Sequence, residues 1–163
     1  MKALVTLTLL LCLGVSGCSQ DKAPATLPAL PIPAGQVIAK LTDAGFSCEL
    51  NDADQPFFAC RDSGMSAEPL TPFISVDLST GIDVANAETC FGGATATLDK
   101  YPGLAYPIVL AKNFQAAWVP SNDQIGDAKA TPAILKQAQA PMAHLGEVVG
   151  LPPTSVAAAC GIS

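Results

Sequence analysis

FSCELNDADQPFFACR, residues 46–61, is a turn with a strand on either side of it. The turn is carried by Asn51, Asp52, Asp54 and Pro56, whose side chains either bond their own backbone or fix φ. Phe46–Leu50 and Phe57–Arg61 have the composition of paired strands, so the chain is expected to reverse here as a β-hairpin. In the first strand Phe46, Cys48 and Leu50 share one face, and Ser47 and Glu49 share the other. That parity puts Cys48 on the buried side, where a bridge belongs.

On the N-terminal side, Gln36–Ala44 places Val37, Ile38, Leu41 and Ala44 on one helical face, with Gly45 positioned to end the helix. On the C-terminal side, Asp62-Ser63-Gly64 and the stretch to Pro72 read as a loop. Phe73–Leu78 then alternates, with Ile74, Val76 and Leu78 facing one way and Ser75 and Asp77 the other, as in a half-buried strand. Asp83–Leu98 has the Ala, Val and Cys content of a helix. Gly92 and Gly93 cost it roughly 2 kcal/mol relative to Ala, so it should bend or end there. Ile108–Ala111 and Phe114–Val119 form a second hairpin across Lys112-Asn113, which contains Trp118, the single tryptophan. Thr131-Pro132 is a cap followed by a first-turn proline. The helix it opens uses Ile134, Leu135 and Ala138, and Pro141 is expected to kink or break it before Met142, Leu145, Val148 and Val149. A short turn is expected over Thr154–Ala159. Helix followed by hairpin occurs twice, at 36–61 and 83–119. The expected fold is α+β: a small antiparallel sheet of about five strands with helices packed on one face.

The first residues have a different purpose. Met1-Lys2 is a short positive segment, and Ala3–Val15 is apolar and uncharged but too short to span a bilayer comfortably. Val15-Ser16-Gly17-Cys18 follows. It resembles the lipobox of bacterial lipoproteins: a branched apolar residue, two small ones that fit the peptidase cleft, and the Cys whose thiol takes the diacylglycerol. Cys12 is a poorer acceptor, because Leu9-Leu10-Leu11 before it includes no small residue. The resemblance implies that residues 1–17 are a removed signal and that Cys18 is the lipidated first residue of the mature chain. It further implies a place outside the cytoplasm on the bacterial cell membrane. One acyl chain, at ~0.8 kcal/mol per buried methylene, holds a protein only marginally, whereas two or three anchor it. Residues 19–35 contain Pro24, Pro28, Pro31 and Pro33 and read as a polyproline-like spacer reaching about 50 Å at ~3.1 Å per residue. The division is therefore signal 1–17, acylated Cys and tether 18–35, and a single domain 36–163.

Four cysteines remain: Cys48, Cys60, Cys90 and Cys160. In an oxidising compartment they are most simply two disulfides, with three possible connectivities. Cys48–Cys60 with Cys90–Cys160 is favoured, because the first two flank the hairpin turn and the others follow by elimination. On the chain-entropy model the short loop is worth roughly 3 kcal/mol and the long one roughly 4 to 5. No Cys-x-x-Cys redox motif occurs.

With a helix, a Cys-bearing hairpin, an amphipathic strand, a helix and a Trp-containing hairpin, residues 36–119 resemble small secreted lipoproteins of actinobacteria. That group has no assigned activity, so the resemblance carries over no catalytic residue.

Charge narrows the partners. Acidic residues outnumber Lys and Arg by 14 to 8, for a net charge of −6. Removing the signal removes Lys2, leaving 7 against 14 and a net charge near −7. Such a surface repels phosphate backbones and, without a basic cluster, argues against nucleic-acid binding. The chemistry-bearing residues are sparse. His144 is the single histidine, without an HExxH or a second His, and reads as a surface or helix-end residue. No Gly-x-Ser-x-Gly elbow occurs. Asn51, Asp52 and Asp54 lack the Gly and distal Glu of a calcium loop and read as turn residues. Arg61, the single arginine, could clamp an anion but reads as a surface ion pair. Phe46, Phe57, Phe58, Phe73, Phe91, Phe114 and Trp118 read first as core, and second as the lining of an apolar cavity. No cofactor or metal is expected. The reading is a lipid-anchored envelope protein with a non-catalytic protein- or ligand-binding role. Its rivals are an apolar-ligand or lipid carrier, which needs an internal cavity between sheet and helices, and a small extracytoplasmic hydrolase.

Overall fold

The computed structural model describes residues 27–51, 57–66, 71–78, 105–121 and 131–159. A 3₁₀ turn, Ala34–Gln36, leads into α1, Val37–Asp43, whose Val37 and Leu41 lie one turn apart and are fully buried. The helix stops at the predicted glycine. Gly45 has φ 97°, its N–H donates to the Thr42 carbonyl at 3.0 Å, and the Phe46 N–H donates to the Leu41 carbonyl at 2.9 Å. This is a Schellman closure, which needs the left-handed backbone that glycine adopts without a Cβ penalty. It turns Phe46 into the core, 2% exposed, at the mouth of the hairpin.

The hairpin forms as expected. β1, Ser47–Leu50, pairs antiparallel with β2, Phe58–Arg61, and Cys48 stands opposite Cys60. The Asn51 N–H donates to the Phe57 carbonyl at 2.9 Å. Alternation along an antiparallel ladder then makes Cys48/Cys60 a narrow, non-hydrogen-bonded pair. Their Cα atoms are 4.1 Å apart and a disulfide joins them. Leu50 departs from the expectation. Phe46 is buried and Cys48 half-buried, but Leu50 is 57% exposed, because β1 is the edge of the sheet and burial falls away along it toward the turn.

β3, Phe73–Asp77, pairs with β2 and with β5, Phe114–Val119; β4, Pro107–Ala111, lies outside β5. The two-residue turn between β4 and β5 is made by Lys112 and Asn113, with Asn113 at φ 61°. A sixth strand, β6, Thr154–Ser155, completes the order β1-β2-β3-β5-β4-β6, antiparallel throughout. The fold is therefore α+β, with six strands among the described residues where about five were expected. Two residues are too few to show a strand period, so β6 read as part of a turn.

The helices do not all lie on one face. α2, Pro132–Val149, and α1 cover the face carrying Cys60, Ile74, Val76, Val109, Phe114, Ala116 and Trp118. Ile108 and Leu110 point the other way along β4 and pack with Val156 and Ala157 of the four-residue α3, Val156–Ala159. A chain leaving β6 at the sheet edge crosses to the back face, where these two apolar side chains would otherwise meet water.

α2 starts as predicted: Thr131 Oγ1 accepts from the Ile134 N–H at 3.4 Å, with Pro132 in the first turn. Pro141 does not break the helix, which runs on to Val149. Proline in a helix interior costs about 3 kcal/mol. Against this, Ala138, Met142, Leu145 and Val149 are fully buried along the same face, which a break would expose. Large apolar side chains contribute ~1.5–3 kcal/mol each on burial, so continuity wins. A second Schellman closure ends the helix. Gly150 has φ 75°, its N–H donates to the Glu147 carbonyl at 3.2 Å, and the Leu151 N–H donates to the Gly146 carbonyl at 2.9 Å.

The Pro-rich stretch is not wholly a spacer. From Leu27 onward it is bound to the domain. Leu27 packs on the back-face cluster, and the Pro28 carbonyl accepts from the Lys112 N–H at 2.9 Å. Leu30 and Ile32 pack on the main core. Pro31 sits against Gly150, its Cγ 3.4 Å from where a Cβ would stand. Spacing apolar residues between prolines gives no helix or strand period, yet an extended chain can still lay alternate side chains onto a neighbouring surface.

Of the two expected disulfides, Cys48–Cys60 is present. Cys90 and Cys160 lie outside the described residues, as do residues 1–26 with Cys18, the turn at Asp52 and Asp54, and the helix expected over Asp83–Leu98.

Candidate functional site

Directly after β2, residues 62–66 make a compact turn organised by Asp62. The Asp62 carbonyl accepts from the Met65 N–H at 2.8 Å, and Oδ1 accepts from the Ser63 N–H at 2.7 Å. The Asp62 N–H in turn approaches the Met65 sulfur at 3.3 Å. A side chain that bonds the next backbone amide holds such a turn without neighbours. The second carboxylate oxygen reaches α2, where Oδ2 accepts from His144 Nδ1 at 2.9 Å. A carboxylate can only accept, so the proton of that bond belongs to the imidazole. The His144 ring also packs on Phe46, with centroids 4.9 Å apart. His144 thus ties the β2–β3 loop to the helix layer, 82 residues away in sequence.

A cleft of about 430 Å³ opens between this loop, the end of β5 and the middle of α2. Met65, Pro72, Trp118, Ala140 and Pro141 give it apolar walls, and Asp62, Ser66 and Gln137 give it polar points. Its size falls within the ~300–1,000 Å³ typical of small-molecule sites. Trp118 faces Ile74 across the sheet and is 5% exposed, and its Nε1 is buried without a hydrogen-bond partner. A donor left in that state costs about 1–3 kcal/mol. The largest side chain of the cleft wall therefore carries an unspent hydrogen bond.

The groups do not form a hydrolytic relay. Ser63 Oγ donates to Asp62 Oδ1 at 3.3 Å, so the carboxylate stands between the hydroxyl and the imidazole. A serine nucleophile is activated by an imidazole that bonds to it directly, with the carboxylate behind. The arrangement found here fixes a loop instead. Arg61 points to the opposite face of the sheet from Cys60. Its guanidinium carbon lies 5.8 Å from the centre of the Phe73 ring, a cation–π arrangement, with Nε buried and unbonded. Among the described residues, no group of three or more His, Cys, Asp or Glu is placed to hold a metal. No helix among them is long and apolar enough to cross a membrane.

Of the residues singled out by sequence, Trp118 lines the cleft, and Phe46 and Phe114 are core. Phe57 and Phe73 stack on each other with centroids 6.3 Å apart. His144 is 37% exposed on α2, as a surface residue should be, but it has a partner that sequence reasoning did not assign. Asp62, Met65 and Gln137 were missed. Asp62 stood in a readable turn, Asp-Ser-Gly, yet nothing in that tripeptide points to a histidine on another element. Comparison with protein-family models, curated proteins and solved structures gave no match.

Proposed function

We propose that this chain is a lipid-anchored, extracytoplasmic binding protein that holds a small, mainly apolar ligand in the cleft beside Trp118. Export by residues 1–17 and acylation of Cys18 rest on the Val15-Ser16-Gly17-Cys18 lipobox. A second staple, Cys90–Cys160, belongs to the same proposal, as does a non-catalytic role. The observation that carries the ligand reading is the cleft itself. It lies between sheet and helix, where a carrier needs its cavity, and a buried donor without a partner sits in its wall. A ligand with an apolar body and one acceptor atom would satisfy both features.

Two experiments test the proposal. Titration with Nile red, a neutral apolar dye, should give saturable binding with quenching of Trp118. Ala140→Trp, which places a large ring at an exposed helix position lining the cleft, should abolish that binding. Binding that is absent, or indifferent to Ala140→Trp, refutes the ligand reading. For the anchor, Cys18→Ser should lose labelling by a fatty-acid analogue while Cys12→Ser keeps it. Labelling of the Cys18 variant refutes the assignment.

A further inference from the structure

The docked part of the Pro-rich segment fixes where the anchor chain leaves the domain. Pro28 is bonded to Lys112, in the turn that joins β4 to β5, and Leu27 lies on the back-face cluster beside β4. Trp118 is at the other end of β5. Ala111 pairs with Phe114 next to the turn, and Trp118 lies further along the same strand, opposite Ile74. From the level of Lys112 to that of Trp118 is about five residue steps, or ~17 Å at ~3.4 Å per residue. The cleft and the anchor attachment are therefore at opposite ends of the sheet.

Resting on the reading of Cys18 as the lipid attachment, we infer that the docked strap holds the β4–β5 turn, on average, nearer the bilayer than the Trp118 cleft. The covalent chain sets the reach. Nine residue steps separate Cys18 from Leu27, which at ~3.3–3.6 Å each keeps the turn within about 30 Å of the membrane. A spacer free as far as Gly35 would have about twice that reach and would attach at α1 instead. Docking halves the leash and moves its point of attachment to the pole opposite the cleft.

Trp118, as the single native tryptophan, reports its own distance from the membrane. The full acylated protein is reconstituted on phosphatidylcholine vesicles carrying a dansyl headgroup acceptor, and energy transfer from tryptophan is measured. Lys112→Trp, at an exposed turn position, adds a second donor without touching the core. The added donor should show at least twofold higher transfer efficiency than Trp118 alone. A double variant, Leu30→Asp with Ile32→Asp, should release the strap and erase the difference. Equal transfer from the two positions, or stronger transfer from Trp118, overturns the orientation. If the native protein binds vesicles no better than Cys18→Ser, the anchor reading itself falls and takes the inference with it. These two failures are read separately, because vesicle partition is measured before any transfer.

Discussion

Replacing a helical glycine with alanine ordinarily stabilises a helix by about 0.8–1.0 kcal/mol. Gly146, in the last turns of α2, should do the reverse. A Cβ at this position would stand 2.6 Å from the Leu151 carbonyl oxygen and 3.0 Å from the Pro153 ring. The first contact is with backbone, which cannot swing aside as a side chain can. It is also pinned, since the Leu151 N–H bonds to the Gly146 carbonyl at 2.9 Å and the Leu151 side chain packs on the core. Relief requires the 151–153 segment to move outward. Overpacking of this kind costs ~1–3 kcal/mol, and weakening the terminal hydrogen bond adds ~0.5–1.5 kcal/mol. After the propensity gain is subtracted, Gly146→Ala should lose about 1–3 kcal/mol. Chemical denaturation should show a lower midpoint with an unchanged slope. Gly35→Ala is the matched control: nothing lies within 4 Å of its Cβ position, and its φ is not in the left-handed region. It should be neutral or gain up to ~1 kcal/mol. A Gly146→Ala protein as stable as the parent, or more so, would refute the close-approach argument.

Replacing Cys48 and Cys60 together by Ala should cost roughly 3 kcal/mol in denaturant unfolding, the loop-entropy value for their 12-residue separation; peptide mapping without reductant should recover this pair crosslinked. His144→Ala should lose no more than about 1 kcal/mol, since the pair with Asp62 is partly solvent-exposed, but hydrogen exchange at Ser63–Met65 should rise measurably once the loop is no longer tied to α2. Limited proteolysis of residues 19–163 should give a resistant fragment beginning before Leu27, and a fragment beginning at Gln36 would show that the strap does not hold. Burial raises the Tyr106 hydroxyl above its ordinary value of 10.0. Between the unfolded and folded values the unfolded chain binds fewer protons, so stability should fall as pH rises above 10, and Tyr106→Phe should flatten that decline.

What the sequence by itself determined is whatever a few consecutive residues can encode. The alternation and composition of 46–61 marked the pairing that sets Cys48 opposite Cys60, Gly45 closed α1, Thr131-Pro132 opened α2, and the alternation of β3 put Ile74 and Val76 inside. Each of these depends on backbone geometry within one turn or one strand, where residue type acts directly on φ, ψ or the facing direction. Other features were decided only when separate elements came together. Pro141 stays helical because the buried face of α2 outweighs the lost hydrogen bond, a balance invisible to local propensity. Leu50 is exposed because β1 falls at the sheet edge, and strand order is not written in any strand. β6 and α3 follow from the apolar side chains that β4 leaves on the back face, and Leu27–Ile32 docks because a surface was there to receive it. The cleft belongs to the same class. Asp62 and His144 meet across 82 residues, and Trp118 lies beneath a loop and a helix that no periodicity connects to it. A contact between distant segments leaves no repeating trace in either one, so only the folded chain shows where they touch.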